Sequence, residues 1–311
     1  MRVAFVGKGG SGKTTMSALF ARYVSSQGRP VVAMDADINQ HLALVLGLDR
    51  QPEPLGERLT EIKELLRGDN PRIPSAGAMV KTTPPGRGSR LLRFTDLPYS
   101  VQTPEGPRLM VTGPFSEDDL GVACYHSKLG AIELLLNHLV DGHGEYVVVD
   151  MTAGADSFAS GLFTRFDLTF LVVEPTRQGV SVYRQYREHA AGFDVPIKVI
   201  GNKVHGPDDV AFLREHLGDD LLTWAEHSAA VRAMEQGRAF ALDDLEPVNA
   251  EALAILLKHV DAQEKNWPLF GRQTAEFHLR NARAWADKAT GRNLADQIDP
   301  GFVYGPVSLR D

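Results

Sequence analysis

The chain has one cysteine, Cys124, in 311 residues, so no disulfide can form within it. A disulfide-stapled fold is excluded, and a cytoplasmic setting is expected. Basic charge is also scarce. Lys and Arg number 33 against 40 Asp and Glu, a net charge of −7. Non-specific DNA binding needs the opposite balance, which weighs against a DNA partner. No apolar run approaches the roughly 20 residues of a membrane span, and at Arg2 the chain enters a core strand rather than a secretion leader. A membrane partner is therefore not expected. Apolar residues make up 43% and charged residues 23%, as in a soluble globular protein with one large core and an extension.

Residues 7 to 15 read Gly7-Lys8-Gly9-Gly10-Ser11-Gly12-Lys13-Thr14-Thr15, directly after the apolar run Val3 to Val6. A buried strand, a glycine turn and an amphipathic helix (Met16, Leu19, Phe20, Tyr23) form the context of a phosphate-binding loop. Glycines let backbone N–H groups converge on phosphate oxygens, and the helix N-terminus adds positive potential. Lys13 is placed to reach the β- and γ-phosphates, and Thr14 to ligate Mg²⁺. The loop predicts binding of a nucleoside triphosphate.

Further along, the pattern alternates strand and helix, which predicts an α/β fold with a mainly parallel sheet covered on both faces. Strands are expected at 2–6, 30–35, 108–112, 146–150, 168–173, 197–201 and 221–224. Helices are expected at 14–27, 56–67, 124–140, 178–191, 208–217, 228–237 and 250–264. Residues 68–107, rich in Pro and Gly with Lys81, Arg87, Arg90 and Arg93, read either as a flexible surface excursion or as a contacting loop. Beyond Glu264 the rhythm stops. A weakly amphipathic helix at 273–290 is expected to dock on the core or at a dimer interface. The domain reading is 1–262 for the nucleotide-binding unit and 263–311 for a C-terminal helical extension.

Lys8, directly after the first glycine, makes the loop resemble the deviant Walker A motif. That superfamily of P-loop ATPases holds the nitrogenase iron protein, the septum-site and ParA-type partition ATPases and the carbon monoxide dehydrogenase nickel-insertion ATPase, the last being closest in layout. The resemblance implies a three-layer α/β/α P-loop fold of about seven strands and a homodimer in the ATP state. In it Lys8 would cross to the partner's phosphates, as an arginine finger does. It also implies roles for Asp35-Ala36-Asp37-Ile38-Asn39 as first switch: Asp37 would orient the attacking water and Asp35 would support the Mg²⁺ shell. Capping of a helix by Asp37 or Asn39 is the plainer alternative. Asp150, ending the apolar strand 146–150, resembles the Walker B carboxylate, and Gly154 the glycine of the second switch. Asn202 resembles the adenine-contacting asparagine, and His205 stands where a GTPase carries aspartate, which favours ATP.

The segment Gly113 to His126 resembles the cluster-bearing stretch of the iron protein and the C-x-C of the nickel-insertion ATPase. Here the pair is Cys124-x-His126, and two copies on a two-fold axis would give Cys₂His₂, a donor set for Zn²⁺ or Ni²⁺. A four-cysteine iron–sulfur cluster is excluded by count, since Ala153 stands where the second cysteine would be. The alternative is a free thiol beside an ordinary histidine. The expected function is an Mg²⁺-dependent ATP-hydrolysing dimerisation switch that helps mature a client metalloenzyme. The alternatives are a ParA-like spatial-organisation ATPase and a regulatory ATPase that docks a partner protein.

Overall fold

The computed structural model describes residues 1–114, 125–158, 160–238 and 240–309. Its strands are β1 (Arg2–Gly7), β2 (Val31–Ala36), β3 (Leu92–Arg93), β4 (Val101–Gln102), β5 (Arg108–Val111), β6 (Leu139–Val140), β7 (Tyr146–Met151), β8 (Leu168–Val173), β9 (Ile197–Val204) and β10 (Leu221–Glu226). Eight form one sheet in the order β10-β9-β8-β1-β7-β2-β5-β4, and β3 pairs with β6 apart from it. Every pairing in the large sheet is parallel except β4 with β5. The expected seven strands are thus joined by a two-residue edge strand from the insertion.

Helices are α1 (Lys13–Ser26), α2 (Leu42–Val45), α3 (Leu59–Arg67), α4 (Tyr125–His138), α5 (Arg177–Ala190), α6 (Pro207–Leu217), α7 (Ala229–Glu235), α8 (Pro247–Asp261), α9 (Trp267–Asn281) and α10 (Asp287–Thr290). Strand side chains alternate between two cores. Val3 and Phe5 join α1 and α8 on one face, while Ala4 and Val6 join α3, α4, α5 and α6 on the other. The result is a three-layer α/β/α fold. Among the described residues, no helix is long and apolar enough to cross a membrane.

The stretch 68–107 is not a flexible excursion. Ile73, Ala78, Met79 and Val80 are buried, as are Thr82 and Thr83. Ile73 and Met79 join the core beneath α3 and α4, and the others meet the C-terminal extension. Val80 packs with Ala282, Ala286 and Leu294. Thr83 donates to Gln297 Oε1 at 3.0 Å, and Gln297 Nε2 donates to the Ala78 carbonyl at 2.7 Å. The extension helix starts at Trp267, earlier than expected, because Asn266 caps it by accepting from Leu269 N–H and Pro268 follows in the first turn. Its course is continuous through a π-turn at Ala282–Ala286 into α10.

At the amino-terminal ends of the strands, a buried charge network ties extension to sheet. Asp141 receives the Met1 ammonium at 2.8 Å, Arg2 Nε at 2.8 Å and Lys265 Nζ at 2.7 Å. Burial opposes the charge on Asp141, but Lys265, Arg2 and the terminal ammonium hold its carboxyl well below the usual range. Deleting one partner of such a buried network typically costs about 3–5 kcal/mol. Arg2 also lies over the Phe270 ring, 4.6 Å from its centroid.

Candidate active site

The site lies at the opposite, carboxyl end of the sheet, where open α/β folds place ligands. Gly7 must be glycine, since a Cβ there would meet Ser11 Oγ and the Val172 carbonyl at 2.6 Å. The loop closes when Ser11 N–H donates to the Lys8 carbonyl at 3.0 Å. Gly12, at φ 93°, then starts α1 with no side-chain cap. By contrast, Thr176 caps α5 and Ser228 caps α7. The uncapped start of α1 leaves its first N–H groups available to an anion.

Four charged side chains converge behind the loop. Lys13 pairs with Asp37 and lies 3.9 Å from Asp150 Oδ1. Burial works against the Lys13 charge, but Asp150 and Asp37 outweigh it and raise the pKa. Strands β2 and β7 run in register so that Asp35 stands beside Asp150. Asp35 accepts from Leu42 N–H at 3.0 Å and Asp37 N–H at 3.1 Å, and Asp37 accepts from Asn39 N–H at 2.9 Å. Asp35 therefore shapes the loop after β2 with both oxygens. Burial and the adjacent Asp150 push its carboxyl well above the ordinary range.

Asp150 differs. It is fully buried, and among the described residues neither carboxylate oxygen has a partner in hydrogen-bonding geometry. Burial pushes its pKa up to about 6, with Lys13 and nearby Thr14 opposing the shift. Thr152 Oγ1 and Ser11 Oγ are also buried without partners. Buried polar atoms are normally satisfied, so this cluster of orphans has the chemistry of a cation and phosphate site. Thr14 and Asp150 have the oxygen donors Mg²⁺ takes.

A cavity of about 460 Å³ continues from Gly12 and Thr15 to Asn202, His227 and Glu235. Asn202 lies within β9 rather than after it, and its Nδ2 donates to the Ser11 carbonyl at 2.7 Å. His205 and His227 stack with ring centroids 4.3 Å apart beside the cavity. Lys8, Lys13, Thr14, Asp35, Asp37, Asp150 and Asn202 thus share one edge of the sheet. Asn39 is exposed, and Gly154, at φ 63°, has open space where a Cβ would point. Cys124 lies outside the described residues, and His126 is described only as backbone at the start of α4. Thr152, Lys203 and Glu235 were missed in the sequence. Thr152 alone had a signal, its place directly after the Walker B strand.

Comparison with known proteins agrees with this geometry. The model of the CobQ/CobB/MinD/ParA nucleotide binding domain matches residues 3–266. The carbon monoxide dehydrogenase accessory protein CooC of Rhodospirillum rubrum is 30% identical over 272 residues, covering 84% of this chain and 97% of that protein. An uncharacterized ATP-binding protein of Methanocaldococcus jannaschii is also 30% identical, over 78% of this chain and 92% of its own length. Among solved structures, a ParA family ATPase from Chlorobium tepidum superposes with a TM-score of 0.59 at 15% identity, covering 81% and 98% of the two chains. The septum site-determining protein MinD of Pyrococcus horikoshii, complexed with Mg-ADP, gives 0.55 at 17% identity over 84% and 96%. These two likenesses concern the fold. A phosphate loop with carboxylates gathered behind it and a family match over most of the chain lead to one assignment: this chain is a P-loop ATPase belonging to the CobQ/CobB/MinD/ParA nucleotide binding domain family.

Proposed function

We propose that the chain is an Mg²⁺-dependent ATP switch in the cytoplasm that closes as a homodimer with triphosphate and opens after hydrolysis, acting as an accessory ATPase for a metalloenzyme. The similarity to a carbon monoxide dehydrogenase accessory protein, over nearly that protein's whole length, carries the accessory role. In this reading the loop N–H groups and Lys13 bind the phosphates, Asn202 offers its carbonyl oxygen to the adenine amino group, and Asp37 orients water. Mg²⁺, when bound by Thr14 and Asp150, neutralises charge on the β- and γ-phosphates. Residues 1–262 form the switch unit in this proposal, with the extension from 263 as an accessory to it.

The direct test is the mass of the purified protein with ADP and with a non-hydrolysable ATP analogue. A monomer with ADP and a dimer with the analogue are expected; one mass in both states would refute the switch. Metal analysis of the dimer extends the test to Cys124 and His126. Among the described residues there is no cluster of three or more His, Cys, Asp or Glu side chains placed to hold a metal ion. Metal that disappears in Cys124→Ser supports the interchain pair, and equal metal in both proteins removes it.

Asp150 gives a pH signature. Metal binding needs its ionised form, and its pKa is about 6. Mg²⁺-dependent nucleotide affinity is therefore expected to fall as pH drops through 6, by up to about tenfold per unit beyond the loss from the nucleotide's own protonation. Without ligand the sign reverses. A folded-state pKa raised above the ordinary 3.8 makes the folded protein hold the extra proton, so its stability declines as pH rises between those values. Titration calorimetry from pH 5 to 8 checks the first trend and thermal melting the second.

A further inference from the structure

We infer that Lys203 is a positioning residue that clamps the turn carrying Lys8 and so sets the direction in which that second lysine reaches. Its Nζ donates to the Gly10 carbonyl at 2.6 Å and to Glu174 Oε1 at 2.8 Å. The neighbouring Asn202 holds the Ser11 carbonyl at 2.7 Å. Two consecutive side chains of β9 therefore hold two consecutive carbonyls of the phosphate loop. Gly10 lies two residues after Lys8, inside the turn closed by the Ser11 N–H bond to the Lys8 carbonyl. The Lys8 side chain is half-buried and has no partner among the described residues, so the backbone of this turn decides where its amine points.

The backbone around Lys203 is built for this contact. Its φ of 59° is left-handed, a strained conformation for a residue with a side chain. The register of β9 with β10 also shifts between Trp224 and Glu226, opposite Gly201 to Val204. Such irregularities re-aim side chains beside active sites. Glu174 follows β8, and its carbonyl is packed against Gly179 at the start of α5, which leaves no room for a Cβ there. The clamp thus joins β9, the phosphate loop and the segment after β8 at the carboxyl edge of the sheet. The Lys203–Glu174 pair is partly exposed, and pairs of that kind add little stability, so its role is geometric.

The inference rests on the reading of Lys8 as a cation given to the second subunit. Its test measures kcat of the full chain at saturating Mg-ATP, and Kd for a fluorescent ATP analogue. Lys203→Met is expected to lower kcat by about tenfold to a hundredfold, since an ångström of misplacement has that effect, with Kd changed far less. Lys203→Arg should restore most of the rate, and Glu174→Gln should show a smaller loss of the same kind. The decisive measurement is the Lys8→Ala/Lys203→Met double variant. If Lys203 acts through Lys8, the residual turnover of Lys8→Ala does not fall further. A multiplicative loss, with Lys8→Ala itself defective, overturns the clamp alone. Normal turnover by Lys8→Ala overturns the two-subunit reading beneath it. Retained analogue binding identifies folded variants; should Lys203→Met not bind, the same cycle is run with Glu174→Gln.

Discussion

Replacing Lys8 by alanine is expected to leave ATP bound and stop its turnover. The phosphates of a single subunit are served by Lys13, by the loop N–H groups and by the uncapped start of α1. None of these depends on Lys8, whose half-buried side chain makes no hydrogen bond or ion pair with another described residue. Its charge matters only where phosphate charge rearranges during transfer. A cation supplied from a second subunit at that moment is worth about 10³–10⁵ in rate. The Lys8→Ala protein should therefore bind ATP within a few-fold of normal, hydrolyse it about a thousandfold slower or worse, and stay monomeric with a non-hydrolysable analogue. Turnover assays and mass measurement in the presence of the analogue read these effects. Loss of ATP binding in a folded variant would instead place Lys8 on its own subunit's nucleotide.

Replacing Asp37 by asparagine should separate hydrolysis from binding in a different way. In the structure Asp37 engages the Lys13 ammonium, the group that must turn to phosphate when nucleotide arrives. The carboxylate thus competes with substrate for its own lysine, and asparagine competes less. Nucleotide affinity is expected to stay level or rise. Hydrolysis should fall by about 10²–10⁴, the usual contribution of a positioned group that handles the proton of an attacking nucleophile. The variant should accumulate in the ATP-bound dimer, which gives a readout by mass besides the rate. A rate within a few-fold of the parent would assign the proton to another group and leave Asp37 with the capping of its loop.

The parts legible in the sequence are those whose geometry is local. Gly7 to Thr15 lie within one strand, one turn and one helix start, so spacing alone located the loop. Asp150 was legible for the same reason, as the polar end of an apolar run. Asp35 was harder to read. The resemblance implies support of the Mg²⁺ shell; that both its oxygens also accept from the Asp37 and Leu42 N–H groups is revealed only by the path of the loop after β2. Lys203 was invisible because its aim depends on an irregular pairing with β10, some twenty residues later in the chain. The extension helix could have been placed better, since Asn266 before Trp267-Pro268 is a start signal that periodicity overlooked. Of the two readings of the insertion 68–107, the flexible one fails because its apolar residues, which follow no period of their own, are buried against the main core and, at Val80, by the tail.

That last pairing sets an order of events for the growing chain. At Thr83 and Gln297 the two segments meet across 214 residues. Contacts between such distant positions close late, after local structure has formed. The nucleotide machinery described above, from Gly7 to Glu235, has been made before residues 294–297 exist to cover Val80 and Ala78. During synthesis Val80 therefore waits for its cover from Ala282, Ala286 and Leu294 until the end of the chain emerges, far from the loop that holds ATP.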